Sequence, residues 1–165
     1  MTLRPLAALA LCLLPGCGGS SDPRALTDEG SKALNSGKYE DAAESYEKAL
    51  VQLGNDTANE EWKRAKMGLI QARTRLDAPR AKNEFIEFAK ASPSQVTDSD
   101  FSMIAGRLGD AGKLEEAIEV LTLGTATFPK SPHLDALGKD LVKRAQSSGD
   151  SGALDTLKGL GYVGD

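Results

Sequence analysis

The sequence has few of the residues that carry metal-binding or acid–base chemistry. Of its 165 residues, one is a histidine, His133, and two are cysteines, Cys12 and Cys17. His133 stands in Ser131-Pro132-His133, a pattern typical of a helix start, with no cysteine or second histidine beside it to share a metal ion. The sequence contains no nucleophile-elbow motif and no glycine-rich phosphate loop. We therefore expect a protein that is not an enzyme and that holds no cofactor or metal.

The sequence also lacks strand patterns and has no excess of basic over acidic residues. No alternating run of β-branched residues is present, and the formal net charge is −4. An acidic balance argues against nucleic acid as a partner, because nucleic-acid-binding proteins are usually basic. The chain is thus predicted to be all-α and to bind protein rather than nucleic acid.

The feature that recurs is an alanine four residues before a large apolar side chain, with a small or apolar residue three further on. The four alanines are 39, 36 and 36 residues apart. A spacing of this size is typical of stacked copies of one supersecondary unit, and such arrays usually bind other macromolecules. An ordinary helical bundle with chance periodicity is the alternative. The sets are Ala42/Tyr46/Ala49, Ala81/Phe85/Phe88, Ala117/Leu121/Gly124 and Ala153/Leu157/Leu160.

The segment from Gly37 to Leu50 resembles the second helix of a tetratricopeptide repeat. Gly37 is expected to make the turn between two paired helices, where a positive φ is cheap. Tyr39 is expected to close that turn, and Ala42 to lie where the two helices approach closely. The segment from Gly112 to Ala117 repeats this pattern.

The resemblance implies a right-handed superhelical array of antiparallel helix pairs, with three to four repeats over residues 23–162. The second unit has Pro79 in place of a turn glycine, and the turn of the fourth, Ser147-Ser148-Gly149-Asp150, is predicted to be irregular. The units are placed near 23–56, 62–95, 98–131 and 132–162.

The N-terminus predicts export and a lipid anchor. Residues 1–16 resemble a signal peptide, with an apolar core of about nine residues that is too short to span a membrane. The following Leu14-Pro15-Gly16-Cys17 resembles the lipobox of bacterial lipoproteins, although Pro15 stands where that family usually has alanine, serine or threonine. The resemblance implies a lipidated Cys17, a flexible tether over 17–22 and an outer-membrane location facing the periplasm. A plain signal peptide cut nearby, which leaves a free thiol, is the alternative.

In tetratricopeptide arrays the first helix of each pair lines a groove. The groove positions that the resemblance implies for the second unit are Lys63, Lys66, Ile70 and Arg73. Because three of the four are basic, we expect a solvated face that holds an acidic or C-terminal peptide segment. A solvated charged face without a ligand is the alternative.

These features predict a lipid-anchored protein-binding scaffold in the bacterial envelope, with a role in the assembly or secretion of envelope components. The tail from Leu157 to Val163 resembles the endings of some exported bacterial sulfatases. This gives the alternative function, an accessory subunit of an exported hydrolase. Leu160, Tyr162 and Val163 are expected to fold over the open end of the last helix pair, because terminal repeats need capping.

The predicted anchor is tested by Cys17→Ser. The variant is expected to lose all lipid labelling and to accumulate as a poorly processed precursor, because the thiol is the group that the lipobox presents for acylation. Metabolic labelling and mass spectrometry of the N-terminal peptide measure both effects. An unmodified residue 17 in the wild-type protein would contradict the lipoprotein interpretation.

Overall fold

The computed structural model describes residues 22–163, so the predicted signal peptide and Cys17 lie outside the described residues. Within 22–163 the chain is all-helical and has no strand, which confirms the predicted all-α class. None of the helices in that range is both long and apolar enough to cross a membrane. The helices are α1 (Pro23–Asn35), α2 (Tyr39–Leu53), α3 (Glu60–Leu76), α4 (Ala78–Ala91), α5 (Asp98–Asp110), α6 (Leu114–Thr127), α7 (Pro132–Ser148) and α8 (Ser151–Gly159), with a 3-10 turn at Pro93–Gln95.

The odd-numbered helices begin at residues whose side chains bond the free backbone N–H groups of the first turn. Asn59 accepts a hydrogen bond from the Glu61 N–H at 2.8 Å, at the start of α3. Thr97 and Asp100 form a reciprocal capping box at the start of α5. Such caps each stabilise a helix by about 1 kcal/mol.

Three of the four connections within helix pairs use the same turn. Gly37, Gly112 and Gly149 have φ of 74°, 72° and 71°. The residue after each glycine donates its N–H to a carbonyl five residues back, at 2.9, 2.9 and 3.0 Å, which is the Schellman ending. The prediction of an irregular fourth turn is therefore wrong. The exception is the α3–α4 connection, where Asp77 alone ends one helix and caps the next.

Successive helices pack in a regular order. Each odd-numbered helix from α1 to α5 contacts the next odd-numbered one, and in the same way α4 contacts α6 and α6 contacts α8. The first pair differs, because α2 packs on α1 and α3 without a comparable contact to α4.

The predicted repeat residues lie largely inside this packing. Gly37 is exposed in its turn and Tyr39 is half-buried. Leu160 is half-buried as well. The remaining members are buried, namely Ala42, Tyr46, Ala49, Ala81, Phe85, Phe88, Ala117, Leu121, Gly124, Ala153 and Leu157.

The apolar core consists of two clusters that meet at α3. Ala65, Leu69 and Ala72 face the cluster of α1 and α2. Met67 and Ile70 belong to the larger cluster, which extends to α8. A single helix therefore carries two apolar faces and joins the first pair to the others.

Tyr46 fixes how α1, α2 and α3 approach one another. Its ring lies against two glycines, Gly30 on α1 and Gly68 on α3. A Cβ atom at Gly68 would come within 2.3 Å of the ring, and one at Gly30 within 2.9 Å. Tyr46 is 2% exposed, so its ring is enclosed between the two glycines and the surrounding core.

Gly68→Ala is expected to lower the free energy of unfolding by about 1–3 kcal/mol, because the added methyl overlaps a ring that is held in place. Gly106→Ala is the matched control, since the nearest atom to its Cβ is a Leu137 methyl at 3.8 Å. The control should be neutral or raise the stability by about 0.5–1 kcal/mol, the ordinary gain of alanine over glycine within a helix. Denaturant titrations followed by circular dichroism measure both, and equal midpoints would contradict the role given to Tyr46.

Candidate partner-binding surface

Two of the four positions predicted to line a solvated groove are buried. Ile70 is 0% exposed and Arg73 is 7% exposed, so the expectation of a solvated face is wrong for both. Lys66 is half-buried against Glu84 of α4, with an Nζ–Oε2 distance of 3.1 Å, and Lys63 lies 4.0 Å from a carboxylate oxygen of Asp100 on α5. The physical reason is that this side of α3 faces the neighbouring helices α4 and α5 rather than solvent.

Arg73 is the centre of an ionic cluster that links three helices. Its guanidinium donates to Glu47 of α2 and to Glu84 of α4. Glu84 also accepts from Arg80, at 2.9 Å, and from Lys66. The cluster lies where α2 and α4 lack a contact comparable to that between α4 and α6.

The charges around Glu84 decide its protonation. Burial alone would raise the pKa of this carboxyl, but hydrogen bonds from Arg73 and Arg80 and the charge of Lys66 outweigh it and hold the pKa below its usual value of 4.5. Glu84 therefore stays ionised near neutral pH. The cluster links three helices within the fold and is not an open binding site.

The exposed side of α3 carries different residues. At about 100° per residue, Arg64, Gln71 and Arg75 fall within about 40° of one another on the helix. Arg64 and Arg75 are exposed and Gln71 is half-exposed. Arg107 lies half-buried on α5. We call the surface formed by Arg64, Gln71, Arg75 and Arg107 the odd-helix face.

Two arginines of the odd-helix face have no carboxylate partner within residues 22–163. Arg75 donates only to the Asp110 carbonyl oxygen, at 3.3 Å. The Arg107 side chain forms no hydrogen bond or ion pair with any described residue, in contrast to that of Arg64, which pairs with Asp28 and Glu61. Guanidinium groups in this state are suited to pair with carboxylates of another molecule.

The Tyr46 hydroxyl lies near the same face. It donates to Ser31 Oγ at 3.1 Å, and Ser31 donates in turn to the Thr27 carbonyl at 2.9 Å. Burial raises the pKa of Tyr46, although the Ser31 hydrogen bond and the charges of Arg64 and Arg107 oppose the rise. The phenol therefore remains a neutral hydrogen-bonding group close to two cations.

Most polar contacts between neighbouring helix pairs recur at a nearly constant sequence separation. Glu47–Arg73 and Gly54–Trp62 are exceptions, at 26 and 8 residues. In the other seven contacts the two partners lie between 33 and 38 residues apart, which is close to the spacing of the alanines. The contacts are Asp28–Arg64, Thr57–Gln95, Lys63–Asp100, Arg75–Asp110, Lys82–Glu119, Asp98–Ser131 and Asp110–Arg144.

The residue types of a hydrolytic triad meet at one place, the start of α7. The Ser131 hydroxyl donates to Asp98 Oδ2 at 2.5 Å and accepts from the Leu134 N–H at 3.3 Å. The Ser131 hydrogen bond lowers the pKa of Asp98, with a smaller contribution from the charge of His133. In a triad the histidine lies between the other two groups. Here the serine bonds the carboxylate directly, so this arrangement caps α7.

Among residues 22–163 no group of histidine, cysteine or acidic side chains is arranged to hold a metal ion. The odd-helix face was not predicted from the sequence, because the predicted groove positions followed the tetratricopeptide pattern. The 36-residue separation of Asp28 and Arg64 was a usable signal, since opposite charges one repeat apart meet on adjacent helices.

No family model, curated protein or solved structure matched this chain. Its function is therefore inferred from the contacts and charges described above.

Glu84→Gln is expected to lower the free energy of unfolding by about 3 kcal/mol at neutral pH, because it leaves the buried Arg73 guanidinium with only the half-exposed Glu47. Glu87→Gln, on the exposed side of the same helix, should change stability by no more than about 0.5 kcal/mol.

The pH dependence of the same pair of proteins gives a second readout. A depressed folded-state pKa means that Glu84 stabilises the fold above its unfolded pKa and loses that effect as the pH falls through the folded value. The gap in stability between wild type and Glu84→Gln should therefore narrow in acid, below the usual carboxyl pKa of 4.5. A gap that does not vary with pH would contradict the ionic role of Glu84.

Proposed function

We propose that this chain is a lipid-anchored scaffold of the bacterial envelope that binds a protein partner through a tetratricopeptide-like stack of helix pairs. The anchor is Cys17, and the location is the outer membrane, facing the periplasm. The stack is a right-handed superhelical array, and it presents the odd-helix face to the partner.

The observation that carries this proposal is the recurrence of seven polar contacts between neighbouring helix pairs at separations of 33 to 38 residues. A bundle with chance periodicity has no reason to place its polar partners one alanine spacing apart. Repeat arrays bind along extended surfaces built from the same positions of successive units. The odd-helix face is such a surface, since it draws Arg64, Gln71 and Arg75 from one unit and Arg107 from the next.

The charge of the odd-helix face indicates the kind of partner. Arg75 and Arg107 have no carboxylate partner within the described residues, so both guanidinium groups can pair with carboxylates of another molecule. An acidic segment of an envelope protein supplies the complementary charge. Contacts of this type act mainly on the association rate and weaken as salt screens them.

The test is the double charge reversal Arg75→Glu/Arg107→Glu in the membrane-anchored protein. We expect the variant to keep its helicity and melting temperature, because neither arginine forms an ion pair within the described residues. Capture of the wild-type partner should fall at least ten-fold, with the loss mainly in the association rate. In the wild type, capture should also weaken as the salt concentration rises.

The matched control is Lys48→Glu/Lys90→Glu, which makes the same charge change on exposed positions of the even-numbered helices α2 and α4. Capture by the control should equal that of wild type. Crosslinking in envelopes, followed by mass spectrometry of the captured protein, measures all three proteins side by side. If the odd-helix variant retains full, salt-sensitive capture, the binding surface lies elsewhere.

A further inference from the structure

The last described residues turn back across α7 in a defined conformation. Helix α8 ends in a Schellman turn, with Gly161 at φ 85°. The Gly161 N–H donates to the Lys158 carbonyl at 2.9 Å, and the Tyr162 N–H donates to the Leu157 carbonyl at 3.0 Å. This geometry directs the Tyr162 side chain towards α7.

Tyr162 occupies a gap on α7 that only glycine provides. A Cβ atom at Gly138 would come within 2.2 Å of the Tyr162 ring. The phenol donates to the Leu134 carbonyl at 3.4 Å. The pKa of Tyr162 is raised by burial and by the charge of Asp135, while Lys139 opposes the rise. We call the surface of Leu134, Asp135, Gly138 and Lys139 the tail seat.

The apolar neighbours of Tyr162 extend the same contact. Leu160 and Val163 pack against the larger core cluster together with Tyr162, as the sequence analysis expected for this tail. All three side chains remain partly exposed. Residues 160–163 are therefore held on the protein by the Tyr162 ring, by its hydrogen bond and by the side chains of Leu160 and Val163.

On α7 the tail covers a surface that a helix covers in the earlier units. Each earlier odd-numbered helix is covered by the next one, and Gly109 on α5 receives Leu141 of α7 at 2.8 Å from its Cβ position. Helix α7 has no odd-numbered successor within the described residues, and its Gly138 receives Tyr162 instead. The tail seat is thus a stacking surface of the array that is filled by a short peptide.

We propose that the tail seat is a binding site for a Gly-Tyr-aliphatic segment of another protein chain, and that residues 160–163 block it in cis. The inference rests on the proposed function, since a second peptide site has a use only in a protein that binds partners. The recognition elements are the gap over Gly138 for one aromatic ring, the Leu134 carbonyl for its hydroxyl, and the apolar surface beside them. A tethered segment acts at an effective concentration of about 1 mM, so a partner's segment competes well only once the tail leaves.

The experiment uses the full chain with Tyr162→Ala, which empties the seat without shortening the protein. The probe is a fluorescent peptide with the sequence of residues 159–163, Gly-Leu-Gly-Tyr-Val, followed by fluorescence anisotropy. The variant is expected to bind the peptide at least ten-fold more tightly than wild type. A peptide with alanine in place of tyrosine should not bind, and one with phenylalanine should bind several-fold more weakly.

Gly138→Ala combined with Tyr162→Ala tests the position of the site, because the added methyl fills the gap while the tail is already displaced. The double variant should lose peptide binding and keep the helicity of Tyr162→Ala. Peptide binding that survives this change would overturn the assignment to the tail seat. So would a Tyr162→Ala protein that is folded but binds no better than wild type, or one that self-associates instead of taking the peptide.

If Tyr162→Ala loses its helicity, the wild-type protein is titrated with the unlabelled peptide to millimolar concentration. Exchange of the tail for the peptide should then shift the Gly138 amide signal in a nitrogen–proton correlation spectrum, and an unchanged signal overturns the proposal. Failure here is distinct from failure of the proposed function, because capture through Arg75 and Arg107 uses a different face and a different readout.

Discussion

The close approach of helix backbones at small residues is the constraint on which this structure depends. Tyr46 shows it most directly, since one ring lies between Gly30 and Gly68 and so sets the relative positions of α1, α2 and α3. Once α3 is fixed in this way, its two apolar faces determine how the first pair meets the second. Because the ring is held between the two glycines, the Tyr46 hydroxyl reaches Ser31, to which it donates a hydrogen bond, and it lies near Arg64 and Arg107.

The alanine spacing identified residues that the structure buries, because a period of 3.6 fixes which side of a helix faces a neighbour. The turn glycines were equally readable at Gly37 and Gly112, where a positive φ leaves few alternatives. Gly149 was misjudged, since its turn follows an atypical sequence yet closes with the same hydrogen bonds. The close packing at Gly68 and Gly138 was not predicted, because the aromatic ring that packs on each glycine is far away in the sequence.

The charged positions were the hardest to predict. Arg73 looks like a surface residue in sequence, yet it is buried, because Glu47 and Glu84 come to it from two other helices. No local pattern records that meeting. A buried ion pair of this kind is weak evidence for net stability compared with apolar packing, but it is costly to break. We infer that it specifies how α2 and α4 are placed relative to α3, where α2 and α4 lack a contact comparable to that between α4 and α6.

The contacts that hold the units together also limit where a partner can bind. Arg64 and Arg144 are engaged with carboxylates of neighbouring helices, so a ligand that recruits them must displace an internal ion pair and gains correspondingly little. Arg75 and Arg107 carry no such cost within the described residues, because neither has a carboxylate to give up. On the odd-helix face, an acidic segment of the proposed kind therefore gains most from these two residues, one on α3 and one on α5. A partner of that kind would touch two consecutive units at once, and its affinity would depend on how those units are stacked.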